Sequence, residues 1–140
     1  MSSLFADTSG LGNLIDPTQP HHVLAAELYR TSRQQNRRVV TTNYIVTELV
    51  ALLTSPLRIP RPLVIEFIDG LVASPFMEIV HIDPTLNEQA WHLLKSRPDK
   101  EWSLVDCASF VVMQQQGLTD ALTTDHHFEQ AGFARLLKPR

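Results

Sequence analysis

Disulfide-forming cysteine pairs, long apolar runs and a basic leader are all missing from this 140-residue sequence. Its single cysteine, Cys107, cannot form a disulfide within the chain, which excludes the small disulfide-stapled secreted domains and favours a reducing compartment. No apolar run approaches the roughly 20 residues that cross a bilayer, and the first residues lack the basic region that opens a secretion signal. The sequence therefore predicts a cytoplasmic protein that is not anchored in a membrane.

A surplus of positive charge is absent as well. Twelve Lys and Arg residues against fifteen Asp and Glu residues give a formal net charge of -3, which argues against a constitutively basic nucleic-acid-binding protein. Nine of the twelve basic residues are arginines, whose planar guanidinium suits phosphate, and most of them fall in groups at 30–38, 58–61 and 135–140. Phosphate contacts and solvated helix faces are both open interpretations of these groups.

The remaining composition and its pattern predict one domain over residues 1–140, because 44% of the chain is hydrophobic and only 19% is charged. Short aliphatic runs alternate with longer stretches of helical period, which predicts an α/β fold with a parallel sheet of about four to five strands. The expected strands are 3–6, 38–41, 77–82, 121–124 and 134–137, and the expected helices are 21–35, 43–53, 63–72, 84–95, 104–116 and 126–131. The segment 55–62 holds three of the nine prolines and is expected to be a loop within the domain.

Four acidic residues are expected at one end of the sheet, beyond the carboxyl ends of its strands, where open parallel sheets bind ligands. Asp7 ends the first strand and Asp125 ends the fourth, while Asp106 lies in the first turn of the most apolar helix. Glu48 lies on the helix after the second strand. Mg²⁺ and Mn²⁺ prefer oxygen ligands, and a pair of such ions can hold both the attacking and the leaving oxygen when a phosphodiester is hydrolysed. The pattern therefore predicts a divalent-metal site.

Each of the four acids also has a structural interpretation. Asp106 follows Ser103 by three residues, which is the spacing of a capping box, and Asp7 and Asp125 precede turns or helices that they could cap. Glu48 could be solvated. The convergence of all four at one end of the sheet nevertheless favours a shared site. The other aspartates considered sit beside Pro or Gly or in predicted turns, where capping or a solvated turn explains them; they are Asp16, Asp69, Asp83, Asp99 and Asp120.

Other chemistries fit the sequence less well. The run Ser9–Gly12 has two glycines of a dinucleotide fingerprint, and no Walker-type motif is present. Cys107 is expected to pack as a small hydrophobe. The pairs at 21–22 and 126–127 are adjacent histidines without the i,i+4 spacing of a zinc site, although His126 or His127 could contact a phosphate.

Four short blocks resemble those of PIN-domain nucleases, in particular the VapC-type toxin ribonucleases. The blocks are 5–9 (FADTS), 47–49 (TEL), 103–107 (SLVDC) and 123–128 (TTDHHF), and the resemblance extends from about residue 3 to 137. It implies a PIN-like α/β/α sandwich and Mg²⁺- or Mn²⁺-dependent hydrolysis of RNA that leaves 5′-phosphate and 3′-hydroxyl ends. The proline-rich segment 55–62 matches none of these blocks.

The resemblance carries roles to individual positions. Asp7, Glu48, Asp106 and Asp125 match the acidic catalytic positions of the family. Asp7 and Asp106 would be the principal metal ligands, with Glu48 and Asp125 as further candidate ligands. The secondary polar contacts would come from Thr8, Ser9 and Thr124.

Three functions are compatible with these residues. The first is a ribonuclease toxin inhibited by a small antitoxin protein that covers the acidic pocket. The second is a PIN-domain ribonuclease that acts in RNA processing without an antitoxin, and the third is a catalytically silent RNA-binding module. The family likeness and the apolar surplus at 63–72 also suggest a homodimer.

Overall fold

Five short parallel strands form the centre of the computed structural model, which describes residues 3–139. The strands are β1 (Leu4–Ala6), β2 (Val39–Thr42), β3 (Met77–Val80), β4 (Asp120–Leu122) and β5 (Ala134–Arg135), and their order in the sheet is β3-β2-β1-β4-β5. The predicted α/β fold with a parallel sheet is thereby confirmed. Met1, Ser2 and Arg140, which belong to the leader and arginine-group predictions, lie outside the described residues.

Helices cover both faces of this sheet. They are α1 (Thr8–Ile15), α2 (His22–Gln34), α3 (Asn43–Thr54), α4 (Arg61–Ala73), α5 (Pro84–Ser96), α6 (Leu104–Gln116) and α7 (His127–Gln130). The chain moves outward from β1 to β3 and then returns to the other side of β1, so right-handed crossovers place α1 to α4 on one face and α5 to α7 on the other. The packing agrees, since α1 contacts α2 and α3 whereas α5 packs against α6.

The core lies between the sheet and the two helical layers. Every residue of β1 is at most 1% exposed, as expected for a central strand covered on both faces. An aromatic cluster anchors the short helix α7: the ring of Phe128 lies 6.2 Å from Phe5 and 5.0 Å from Phe110. Cys107 is buried in this core, and burial raises the pKa of its thiol to about 11. Within residues 3–139, no helix is both long and apolar enough to cross a membrane.

The structure corrects several element boundaries. Helix α1 was not expected, because two glycines in eight residues weaken helix propensity. Helix α4 begins at Arg61, with Pro62 in its first turn, and so takes the last residues of the expected loop 55–62. Strands β3, β4 and β5 end at 80, 122 and 135, two residues earlier than expected. The early end of β4 frees residues 123–125 to turn across the end of the sheet.

Gly10 is the position that allows α1 to pack directly on β4. A Cβ atom at this residue would lie 1.8 Å from the backbone oxygen of Leu122. Only glycine permits such an approach between a helix and a strand. This contact brings the first turn of α1 against the residues that follow β4.

Candidate active site

The first predicted acid, Asp7, lies directly after β1 and caps α1. Its Oδ1 accepts the backbone N–H of Gly10 at 2.9 Å and the hydroxyl of Ser9 at 2.8 Å, and its Oδ2 accepts the hydroxyl of Thr123 at 2.7 Å. The capping role predicted for Asp7 is therefore confirmed, and it does not exclude a second role as a metal ligand. Each carboxylate oxygen can accept about two hydrogen bonds, so Oδ2 keeps the capacity to bind a cation.

Burial makes Asp7 the most perturbed acid of the site. Desolvation raises the pKa of Asp7 from 3.8 to about 6, and the negative charge of Asp125 acts in the same direction. The hydrogen bonds from Thr123, Gly10 and Ser9 lower the pKa and offset part of this effect. A cation beside Asp7 would favour the charged form, so this carboxylate is suited to a bound metal ion.

Asp106 occupies the first turn of α6, where it forms the capping box predicted from the sequence. The Ser103 hydroxyl accepts the N–H of Asp106 at 3.0 Å, and Asp106 Oδ2 accepts the N–H of Ser103 at 3.1 Å. The same Oδ2 lies 3.1 Å from Nδ1 of His127. In the described part of the chain these contacts leave Oδ1 available to a ligand.

Asp125 and the residue that orients it follow β4. The backbone N–H of Asp125 donates to the Thr123 hydroxyl at 2.9 Å, and that hydroxyl donates in turn to Asp7. Asp125 Oδ1 accepts the backbone N–H of His127 at 2.9 Å. Thr123 was not among the predicted site residues, although a threonine two residues before an acid is a recognisable turn signal.

Glu48 reaches the same region from α3, which begins after the cap Thr42. It is exposed, as its solvated interpretation required, but its Oε1 also accepts the hydroxyl of Thr8 at 2.6 Å. The Ser9 hydroxyl accepts the backbone N–H of Thr124 at 2.9 Å. Thr8 and Ser9 thus contribute hydroxyls to the site, whereas the contact of Thr124 is made by its backbone.

All four predicted acids line one cavity of about 600 Å³, together with Thr8, Ser9, Thr124 and both histidines of the 126–127 pair. The cavity lies beyond the carboxyl ends of β1 and β4, where the order of the strands reverses. Glu101 also lines it and was missed, because no motif marks an exposed acid two residues before a helix cap. No Lys or Arg within residues 3–139 lines this cavity.

The fold and the site agree with a family comparison. The model of the PIN domain matches residues 4–134, almost the whole chain. The chain belongs to the PIN-domain family. The predicted resemblance is thereby confirmed.

Individual proteins and solved structures are similar to this chain along almost its whole length. The 23S rRNA-specific endonuclease VapC20 of Mycobacterium tuberculosis is 29% identical over 133 residues, which cover 95% of this chain and 97% of the relative. The crystal structure of that protein, a Sarcin-Ricin loop cleaving toxin, has a TM-score of 0.84 at 28% identity and covers 98% of this chain and 100% of its own. FitAcB from Neisseria gonorrhoeae has a TM-score of 0.64 at 21% identity over 96% of each chain, which shows a shared fold.

The donor set of this PIN-domain cavity fits a hard divalent cation. Its acids supply oxygen ligands, and Asp7 is a buried carboxylate whose charged form a cation would stabilise. Within residues 3–139, the group whose ligand atoms all lie within 4.8 Å of one another is Asp125, His126 and His127. Asp7, Glu48 and Asp106 line the cavity but do not belong to this group. The adjacent histidines, whose spacing argued against a zinc site, therefore lie closer to a candidate metal position than the sequence predicted.

Two arginines of the group 30–38 make their contacts elsewhere in the PIN-domain fold. Arg33 stacks on Phe76, 4.5 Å from the ring centroid, and Arg38 lies 3.7 Å from Glu78. These residues lie at the amino ends of the strands, opposite the acidic cavity. Arg135 instead supports the site, because it donates to the backbone oxygen of Thr124 at 2.9 Å.

Proposed function

We propose that this protein is a metal-dependent endoribonuclease, that residues 1–140 act as one domain, and that it is the toxin of a toxin–antitoxin pair. One observation carries the proposal: Asp7, Glu48, Asp106 and Asp125 come from four separate parts of the chain and line one cavity. Separate capping roles would not require this convergence. The similarity to a 23S rRNA-specific endonuclease supports RNA as the substrate.

Asp7 and Asp106 would hold Mg²⁺ or Mn²⁺, with Glu48 and Asp125 completing the oxygen ligands. A divalent ion supplies charge neutralisation at the scissile phosphate and activation of the attacking water. Cleavage would leave a 5′-phosphate and a 3′-hydroxyl. Two such ions would also make the formal net charge of the protein positive, which reduces its repulsion of RNA.

The protein's own contribution is to orient the carboxylates before substrate arrives. Ser9 and Thr123 hold the two oxygens of Asp7, and Thr8 holds Glu48. Because these hydroxyls donate to the acids, each carboxylate keeps one orientation without a competing cationic side chain. The arrangement therefore favours catalysis over a silent RNA-binding role.

The direct test is cleavage of a sarcin–ricin loop oligonucleotide of 23S rRNA by the purified full chain. Cleavage is expected in millimolar Mn²⁺ or Mg²⁺, is expected to stop in excess EDTA, and is expected to return when metal is restored. An unrelated hairpin of equal length serves as the control for sequence preference. Binding without cleavage in either metal would support the silent module, and full cleavage in EDTA would exclude the metal-dependent mechanism.

The antitoxin is the part of the proposal that depends on a second protein. The description of the similar M. tuberculosis protein as a toxin supports it. A short neighbouring reading frame that encodes a DNA-binding protein would favour the toxin, and its absence would favour RNA processing. Either role on ribosomal RNA would place the protein in the cytoplasm.

A homodimer is included in the proposal because α4 carries exposed apolar residues. Ile65 is 53% exposed and Val72 is 60% exposed, and their seven-residue spacing puts both on one helix face. Ile65→Glu is expected to halve the mass of the particle measured by light scattering. Val23→Glu, at a more exposed apolar residue on α2, should leave that mass unchanged, and a monomeric parent would contradict the dimer.

A further inference from the structure

His127 joins two acids that come from different elements of the fold. Its Nδ1 lies 3.1 Å from Asp106 Oδ2, on α6, and 3.4 Å from Asp125 Oδ1, after β4. The side chain of His127 is 19% exposed, whereas that of the adjacent His126 is 64% exposed and lies 3.7 Å from Asp125. The two histidines therefore differ in both burial and contacts.

The chemistry of these partners fixes the form of the His127 ring. Ionised carboxylate oxygens only accept hydrogen bonds, so Nδ1 must carry the hydrogen of the bond to Asp106 Oδ2. No Lys or Arg in residues 3–139 lines the cavity to do this instead. His127 is thus a side-chain N–H donor placed between two of the acids.

The backbone around His127 holds the ring in place. Its own N–H donates to Asp125 Oδ1 at 2.9 Å, and the next residue, Phe128, is fully buried in the aromatic cluster. The contacts of His127 fall on one oxygen of each acid, Oδ2 of Asp106 and Oδ1 of Asp125. The second oxygen of each carboxylate is left for a cation.

We propose that His127 is a positioning residue for the metal site, in which its Nδ1–H donates to Asp106 and its backbone N–H donates to Asp125, so that one residue sets the orientation of both acids. This inference rests on the proposed metal-dependent function, to which it adds a residue and a tautomer. Groups that orient metal ligands typically change metal affinity by about 10- to 100-fold when they are removed.

Two substitutions of His127 distinguish the roles of its two ring nitrogens. The amide nitrogen of Asn occupies nearly the position of Nδ1, whereas that of Gln lies nearer to Nε2. In calorimetric titration of the full chain with Mn²⁺, His127→Gln is expected to lower the affinity about tenfold or more. His127→Asn is expected to stay within about threefold of the parent. His92→Gln on α5, an exposed histidine outside the cavity, is the matched control and should bind as the parent does.

Any other combination of affinities either overturns the inference or is interpreted with a second measurement. Parent-like affinity of His127→Gln with weak binding by His127→Asn would assign the role to Nε2, and parent-like affinity of both would remove the role. If both variants bind weakly, the ¹⁵N shifts of the parent imidazole at pH 8 decide: hydrogen on Nδ1 upholds the hydrogen bond to Asp106, and hydrogen on Nε2 alone overturns it. A parent that binds no Mn²⁺ would overturn the proposed function together with this inference.

Discussion

Asp7→Asn is expected to lower the rate of RNA cleavage by at least about 100-fold, as expected when a group that stabilises charge in the transition state is lost. Asn keeps an oxygen that can accept the N–H of Gly10, and it is a good helix cap, so α1 should remain in place. The loss would therefore reflect charge rather than folding. The rate is measured with the ribosomal RNA oligonucleotide in Mn²⁺, and Asp69→Asn, at an exposed acid on α4, is the matched control.

The same substitution should stabilise the protein above pH 6 when metal is absent. The pKa of Asp7 rises from 3.8 to about 6 on folding, so the folded state binds more protons than the unfolded state between these values. Stability contributed by this group is therefore lost as pH rises from about 4 to 6, and a shift of about two units corresponds to about 3 kcal/mol. Asp7→Asn removes this loss.

Urea denaturation in EDTA at pH 4 and pH 7.5 measures the effect. The free energy of unfolding of the parent should fall more between the two pH values than that of Asp7→Asn. The difference between the two proteins isolates Asp7 from the other titrating groups. Equal pH dependence of both proteins would contradict the raised pKa, and unchanged cleavage would contradict the catalytic role.

Gly10→Ala is expected to destabilise the protein by about 3 kcal/mol, at the upper end of the range for an overpacked site. The added Cβ would meet the backbone oxygen of Leu122 at 1.8 Å and its carbonyl carbon at 2.7 Å, and neither can rotate away. Helix α1 would have to move from β4 and take Ser9 away from Thr124. The rate of RNA cleavage by Gly10→Ala should therefore fall together with its free energy of unfolding.

Gly70→Ala is the matched control for this substitution. A Cβ at Gly70 meets nothing within 4 Å, and the residue lies in the interior of α4. The alanine should therefore stabilise the protein by about 1 kcal/mol through helix propensity. Chemical denaturation compares the two variants, and a similar free energy of unfolding for both would show that the close approach at Gly10 is not required.

The placement of two of the four acids was predictable because it follows from strand ends. Asp7 and Asp125 each follow a short apolar run, and parallel strands bring such positions to one edge of the sheet. Helix α1 was not predictable in the same way, because its two glycines oppose helix locally and are favoured only by packing against β4 and α3. Local propensity carries no information about that packing.

The supporting residues of the site were hidden for a similar reason. Thr123 bonds a residue 116 positions away, and His127 bonds Asp106 from a different helix. Neither contact has a sequence spacing that marks it. The hydroxyls of Thr8 and Ser9 were predictable because they follow Asp7 directly in the chain.

The bond between Thr123 and Asp7 has a consequence for the synthesis of the protein on the ribosome. Asp7 and β2, which pairs with one side of β1, are synthesised early. Strand β4 on the other side of β1, the Thr123 hydroxyl and Asp125 belong to the last fifth of the chain. A nascent or prematurely terminated polypeptide therefore holds one wall of the cavity without the other. The cavity is complete only after almost the whole chain has been synthesised.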